Sequence, residues 1–204
     1  MPREQAALSV LVVCEGNVCR SPAFGFALGR CLPTAHVESA GMRARPGAGL
    51  CSVVGSSILE SDSESVDFVR GFRSRRMSAI DPAEFDLVLT ATRELRADLA
   101  TAHPSIRDRF FTYRELVHIV DQTVFPDDRS EISSSTGLAN WLNLGRGLIV
   151  VPEPRRRMFR ATVNDPFDIP DAHGGSAHRH RAVVGAALNA GTEAGAALGR
   201  VLGN

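Results

Sequence analysis

The sequence contains no lysine: its 23 basic residues are all arginine and are balanced by 23 acidic ones, so the net charge is zero. A chain without net charge has no long-range field steering it to nucleic acid or to an anionic membrane, and neither is expected as a partner. The arginine bias itself reads as a codon preference. No apolar run approaches the 18 residues of a membrane span; Ala6 to Val13 is far too short. The opening Met-Pro-Arg-Glu-Gln carries no cleavable leader pattern, so the expected location is cytoplasmic. Cysteine is absent after position 51, which argues against a secreted disulfide framework. Of Cys14, Cys19, Cys31 and Cys51 only the first two are close, so a four-cysteine zinc site is not expected, nor any other metal or cofactor. Cys31 and Cys51 lie in apolar helical patterns and read as buried packing residues.

What is present is an ordinary globular composition, 44% hydrophobic and 23% charged over 204 residues, without repeats or low-complexity tails. One domain over residues 1–204 is the expectation. Leu8 to Val13 is a continuous β-branched and apolar run, as in a strand covered on both faces. A glycine-containing loop follows, and a helix starts at Ser21 with Pro22 in its first turn and runs to about Leu32. Further strands are expected at 36–39, 85–90 and around Phe110-Phe111. Helices are expected at 50–59, 66–72, 93–99 and 113–120. This alternation opens a parallel α/β sheet.

The segment from about 121 to 159 breaks the alternation and reads as a partly helical insertion on one edge, with an amphipathic helix over 138–148. Gly174-Gly175-Ser176 supplies a turn and N-cap for a last, alanine-rich helix to about Leu202. Val184, Leu188, Leu198 and Leu202 are the expected buried face of that helix. The basic clusters Arg70 to Arg76, Arg155 to Arg160 and His178 to Arg181 read as solvated surface.

The chemistry concentrates in Cys14-Glu-Gly-Asn-Val-Cys-Arg-Ser21. A strand ending at Cys14, a tight curl through Gly16 and a helix from Ser21 turn successive backbone N–H groups inward as an anion nest. The helix N-terminus faces the same space, and Arg20 can add two parallel hydrogen bonds to a phosphate. Cysteines at helix N-termini beside cations ionise with pKa values of roughly 3.5–7.5, so Cys14 is expected to act as a thiolate nucleophile. Ser21 can donate to its sulfur, and Asn17 can brace the loop or permit a left-handed turn. Glu15, Gly16, Val18 and Cys19 complete the anion-binding loop.

The stretch Val10 to Pro22 resembles the signature of the low-molecular-weight protein tyrosine phosphatases, whose fold also supports arsenate reductases. Weaker matches are Glu38-Ser-Ala-Gly41, Phe72 to Ser78, and Phe85 to Thr90 with Arg93-Glu94. The likeness covers about residues 9–117 and 164–202. It implies a flavodoxin-like, doubly wound parallel four-stranded sheet with helices on both faces, and hydrolysis of a phosphorylated protein or a small phosphomonoester. Cys14 would form a phosphocysteine, Arg20 and the loop amides would hold the equatorial oxygens, and an Asp would be the general acid. Asp165, in Asp-Pro-Phe167, matches the family's letters; Asp171 matches its distance from the last helix. Both stay candidates, with Asp165 first. In related phosphatases a cysteine in the position of Cys19 forms a reversible disulfide with the nucleophile, which implies the same for Cys14 and Cys19.

Three departures bear on specificity. No aromatic residue lies between Met42 and Gly47, and only Phe167 stands near the candidate acids. Glu15 places a negative charge on the loop's rim, and Thr92 stands where the family often has Asp before Arg93. Two other functions are open: an arsenate reductase using a small-thiol cofactor, and a non-catalytic phosphate- or phosphoprotein-binding regulator. The thioredoxin-linked reductase route lacks the downstream cysteines it needs.

Overall fold

β1 (Ser9–Cys14) is buried from Val10 onward, and its surroundings explain an unbroken apolar run. Val10 and Val12 pack in one cluster with Phe24, Leu28 and Val184, while Leu11 and Val13 pack in another with Met77, Phe85, Leu99 and Phe110. A strand clad on both faces has no solvent side to mark with polar residues. The computed structural model describes residues 7–124, 132, 135–151, 165–172 and 175–203.

β1 runs parallel to β2 (His36–Gly41) and to β3 (Leu87–Thr90), and β3 runs parallel to β4 (Phe110–Thr112). The order β2-β1-β3-β4 is that of a doubly wound sheet. Such sheets bind ligands beyond the strand carboxyl ends where the winding reverses, here between β1 and β3. α1 (Arg20–Cys31), α5 (Tyr113–Gln122) and α7 (Ala177–Leu202) pack together on one face. α4 (Arg93–Ala102) covers the other. α2 (Ser52–Ser61) and α3 (Val66–Gly71) follow β2. The helix expected over 50–59 starts late because Cys51 is extended (φ −65°, ψ 149°) and precedes the first turn.

The buried face of α7 differs from expectation. Val184 and Leu198 are buried, but Leu188 and Leu202 are only partly so; the contact is a row of Ala187, Ala190, Gly191, Ala194 and Gly195. A Cβ at Gly191 would stand 2.4 Å from the Phe24 carbonyl oxygen, and one at Gly195 would stand 2.5 Å from Cys31 Cβ. The α1–α7 backbones approach too closely for side chains of any size, so the largest apolar residues were the wrong guide. Cys31, read as buried, is exposed at the last turn of α1.

α6 (Ser135–Arg146) packs on α5 near the β4 edge. Arg146 donates to the Phe110 carbonyl (2.8 Å) and, with Arg96, holds buried Glu115, which also closes a capping box with Thr112. Asp127-Asp128, Ser133-Ser134 and Arg155 to Arg160 lie outside the described residues. Among the described residues no helix is long and apolar enough to cross a membrane.

Candidate active site

β1 delivers Cys14 to the carboxyl edge of the sheet, and α1 begins at Arg20. The curl between them turns on Asn17, whose φ of 50° is left-handed. Gly16 is not forced: a Cβ there would meet only Val18 Cγ2, at 3.7 Å. Asn tolerates this region because its short amide can bond locally, and here it does. Asn17 Nδ2 donates to Ser21 Oγ (2.9 Å) and Ser39 Oγ (2.8 Å), and Oδ1 accepts the Arg75 N–H (2.7 Å). One fully buried side chain thus knots the loop to α1, β2 and the segment after α3.

The sulfur of Cys14 sits 3.1 Å from Ser21 Oγ and 3.3 Å from the donating Asn17 N–H. Asn17 donates to the Ser21 oxygen, which leaves the serine proton for the sulfur or for the Ala40 carbonyl at 3.3 Å. The loop's outer carbonyls are taken up as well. Cys14 O accepts from Met42 N–H (3.0 Å), Glu15 O from Arg43 N–H (2.8 Å) and Val18 O from Cys51 N–H (2.9 Å). Turning these three carbonyls outward leaves the inner surface open to N–H groups such as that of Asn17. Gly41 makes this approach possible, since a Cβ there would stand 2.7 Å from both Asn17 N and Glu15 O. Beneath the loop, Tyr113 stacks on Phe24 (4.0 Å) and donates to the Val13 carbonyl (2.9 Å); burial pushes its phenol pKa up and keeps it a neutral donor.

Arg20 is buried and forks across the chain. Its guanidinium donates to the Ile169 carbonyl (3.0 Å) and to Asp171 Oδ2 (2.7 Å), 151 residues away. Asp171, Arg20 and Glu15 line an open cleft of about 490 Å³ with Arg43, Thr92, Glu94, Leu95, Asp98, Asp168 and Pro170. Arg43 Nε lies 3.0 Å from Glu15 Oε1, an ion pair outside hydrogen-bond alignment that offsets the rim charge. Thr92 caps α4 by accepting the Leu95 N–H.

Asp165 stands elsewhere. It accepts from Arg93 (2.9 Å) and from the Phe167 N–H (2.9 Å), a local turn that fixes Asp-Pro-Phe, and it does not line the cleft. Phe167 is buried with its ring 5.4 Å from that of His118, so no aromatic residue lines the cleft among the described residues. Asp168 accepts the Arg93 N–H (2.8 Å); burial raises its carboxyl pKa, with the Asp165 charge adding to the effect.

Cys19 precedes α1, and its sulfur lies 3.1 Å from His180 Nε2. Cys51, read from sequence as buried packing, is half-exposed with its sulfur 3.5 Å from the same nitrogen. The hydrogen bond between the two thiols raises the pKa of Cys19, with burial adding to it, and lowers that of Cys51. His180 belongs to the run read as solvated surface. Sequence reasoning also missed the brace from Ser39, Gly41 and Arg75. Their segments carried weak family likeness, but no local pattern states that they touch the loop.

Residues 9–126 match the model of the family described as low molecular weight phosphotyrosine protein phosphatase. The low molecular weight protein-tyrosine-phosphatase Wzb of Salmonella typhi is 34% identical over 104 residues, 51% of this chain and 67% of the relative. Two solved structures share the fold. The tyrosine phosphatase AmsI of Erwinia amylovora superposes with a TM-score of 0.60 at 19% identity, covering 92% of this chain and 91% of the other. The YwlE arginine phosphatase of Geobacillus stearothermophilus does so at 0.60 and 19%, covering 95% and 94%. The chain belongs to the low molecular weight phosphotyrosine protein phosphatase family, cysteine-dependent hydrolases of phosphoric monoesters.

Proposed function

We propose that the chain hydrolyses phosphotyrosine in proteins through a phosphocysteine on Cys14, with Asp171 as the general acid. The observation that carries this is the Arg20 guanidinium, which joins the Cys14 loop to Asp171 at 2.7 Å. The Cys14 thiolate attacks phosphorus in line; the S–P bond forms as the P–O bond to tyrosine breaks, and the leaving oxygen takes the Asp171 proton. A water then gives its proton to Asp171 and attacks phosphorus, which releases phosphate and restores the thiolate. The loop N–H groups of residues 15–19 and Arg20 hold the equatorial oxygens, and Ser21 stabilises the sulfur as it leaves. A phosphate that draws Arg20 to itself also loosens its ion pair with Asp171 and frees that carboxyl to face the leaving oxygen.

Glu94, Asp98 and Asp168 make the cleft wall acidic, which favours basic residues beside the phosphotyrosine. The four free thiols suit a reducing compartment, and we place the protein in the cytoplasm as a single domain. Phosphotyrosyl peptides with basic and with acidic flanks test this reading. We expect turnover with a higher kcat/KM for the basic set, and a loss of about 10⁴-fold or more in Cys14→Ser. Tight phosphopeptide binding by the wild type without turnover would replace this reading with a phosphoprotein-binding regulator.

A further inference from the structure

We propose that Cys19, Cys51 and His180 form a zinc site at the junction of three helices, directly behind the oxyanion loop. Cys19 precedes α1, Cys51 precedes α2, and His180 lies in the first turn of α7. The packing of α7 on both α1 and α2 brings them together, and their ligand atoms all lie within 4.8 Å of one another. The two sulfur-to-nitrogen distances are 3.1 and 3.5 Å. Tetrahedral zinc, with Zn–S near 2.3 Å and Zn–N near 2.0–2.1 Å, holds sulfur and nitrogen about 3.6 Å apart. The two sulfur-to-nitrogen pairs therefore need to open by only a few tenths of an ångström to ligate.

The donor set selects the metal. Two thiolates and one imidazole are soft to borderline ligands suited to zinc and not to magnesium or calcium. Two thiolate charges cancel that of the ion, so the site closes without a net charge in a partly buried place. Cys19 is buried, while Cys51 and His180 are half-exposed; the ion enters from their side, and a water completes the fourth position. No bond other than metal–ligand bonds forms, and both thiol protons leave to solvent.

The site would act as a clasp. Cys19 stands between Val18, whose carbonyl accepts the Cys51 N–H, and Arg20, which reaches Asp171. Fixing its sulfur to α2 and α7 secures the loop's far end from behind. The tie among the three helix starts does not depend on which residue is the general acid.

The test uses the reduced full chain, stripped with a chelator and titrated with cobalt(II), then zinc. The expected result is one equivalent of cobalt with thiolate charge-transfer absorption and the visible bands of a tetrahedral site, displaced by zinc. These bands persist in Cys14→Ser. In Cys51→Ser and His180→Gln, shown to be folded by circular dichroism, affinity falls by more than the roughly 10- to 100-fold that loss of an outer-shell partner costs. Zinc raises the Tm of the wild type and of Cys14→Ser but not of the other two. Bands lost in Cys14→Ser and kept in Cys51→Ser would put the metal on the nucleophile and overturn the proposal. A folded wild type with no tetrahedral spectrum would overturn it as well.

Discussion

Residues 14–21 and residues 165–172 each contribute to one cleft but are held in place by different means. The first is fixed by its own backbone: carbonyls turned out to three partners, the Asn17 N–H turned in on the Cys14 sulfur, and one buried asparagine side chain tying the knot. The second is largely held by arginines. Arg20 binds the Ile169 carbonyl and Asp171, Arg93 binds Asp165, and Arg114 binds the Asp168 carbonyl at 3.2 Å. Backbone N–H groups bonded to it include Gly175 N–H to Ala172 O and Arg93 N–H to the Asp168 carboxylate, and its own Ile169 N–H reaches Ala91 O at a strand end. The nucleophile's half is therefore rigid and buried. The acid's half is anchored in the core by Ile169 and Ala172, but Asp171 stands exposed on the Arg20 side chain and is the part that substrate can rearrange.

If the loop's rigidity comes from close backbone approach, Gly41→Ala should damage it most. The added Cβ meets main-chain atoms that cannot rotate away, so a cost of about 1–3 kcal/mol is expected by chemical denaturation. Displacing the nucleophile by a fraction of an ångström should also lower kcat by up to about 100-fold. Gly16→Ala, in open space, should leave both nearly unchanged; equal damage from the two would break the contrast.

The carboxylates of the acid's half should respond to charge. Asp168→Asn keeps the acceptor for the Arg93 N–H and removes a charge that burial and Asp165 disfavour. Because the folded-state pKa is raised, this carboxyl favours the fold while protonated and loses that contribution as pH rises through its folded value. The variant should therefore gain at neutral pH, by under about 1 kcal/mol at this half-exposed site. The gain should vanish as pH falls towards 4, the ordinary aspartate range. Thermal melts across that window measure it.

The loop was legible because its geometry is local: a strand end, a left-handed asparagine and a helix start lie within eight consecutive residues. Strands β1 and β3 were legible because two-sided burial writes itself as apolar runs. What could not be read is what packing alone decides. Asp165-Pro166-Phe167 has the familiar letters, but Phe167 packs on His118 and Asp165 is bound by Arg93. Nothing in periodicity joins Asp171 to Arg20, or His180 to Cys19 across 161 residues. The small-residue face of α7 follows from how close α1 comes, which no hydrophobicity pattern contains.

The central claim, that Asp171 and not Asp165 protonates the leaving group, is tested most directly by rates on aryl phosphates of graded phenol pKa. Asp171→Asn should lose about 10²–10⁴-fold on poor leaving groups, with a steeper dependence on phenol pKa. Asp165→Asn should stay within about threefold of wild type on all of them. A collapse on poor leaving groups in Asp165→Asn, with Asp171→Asn near wild type, would contradict it.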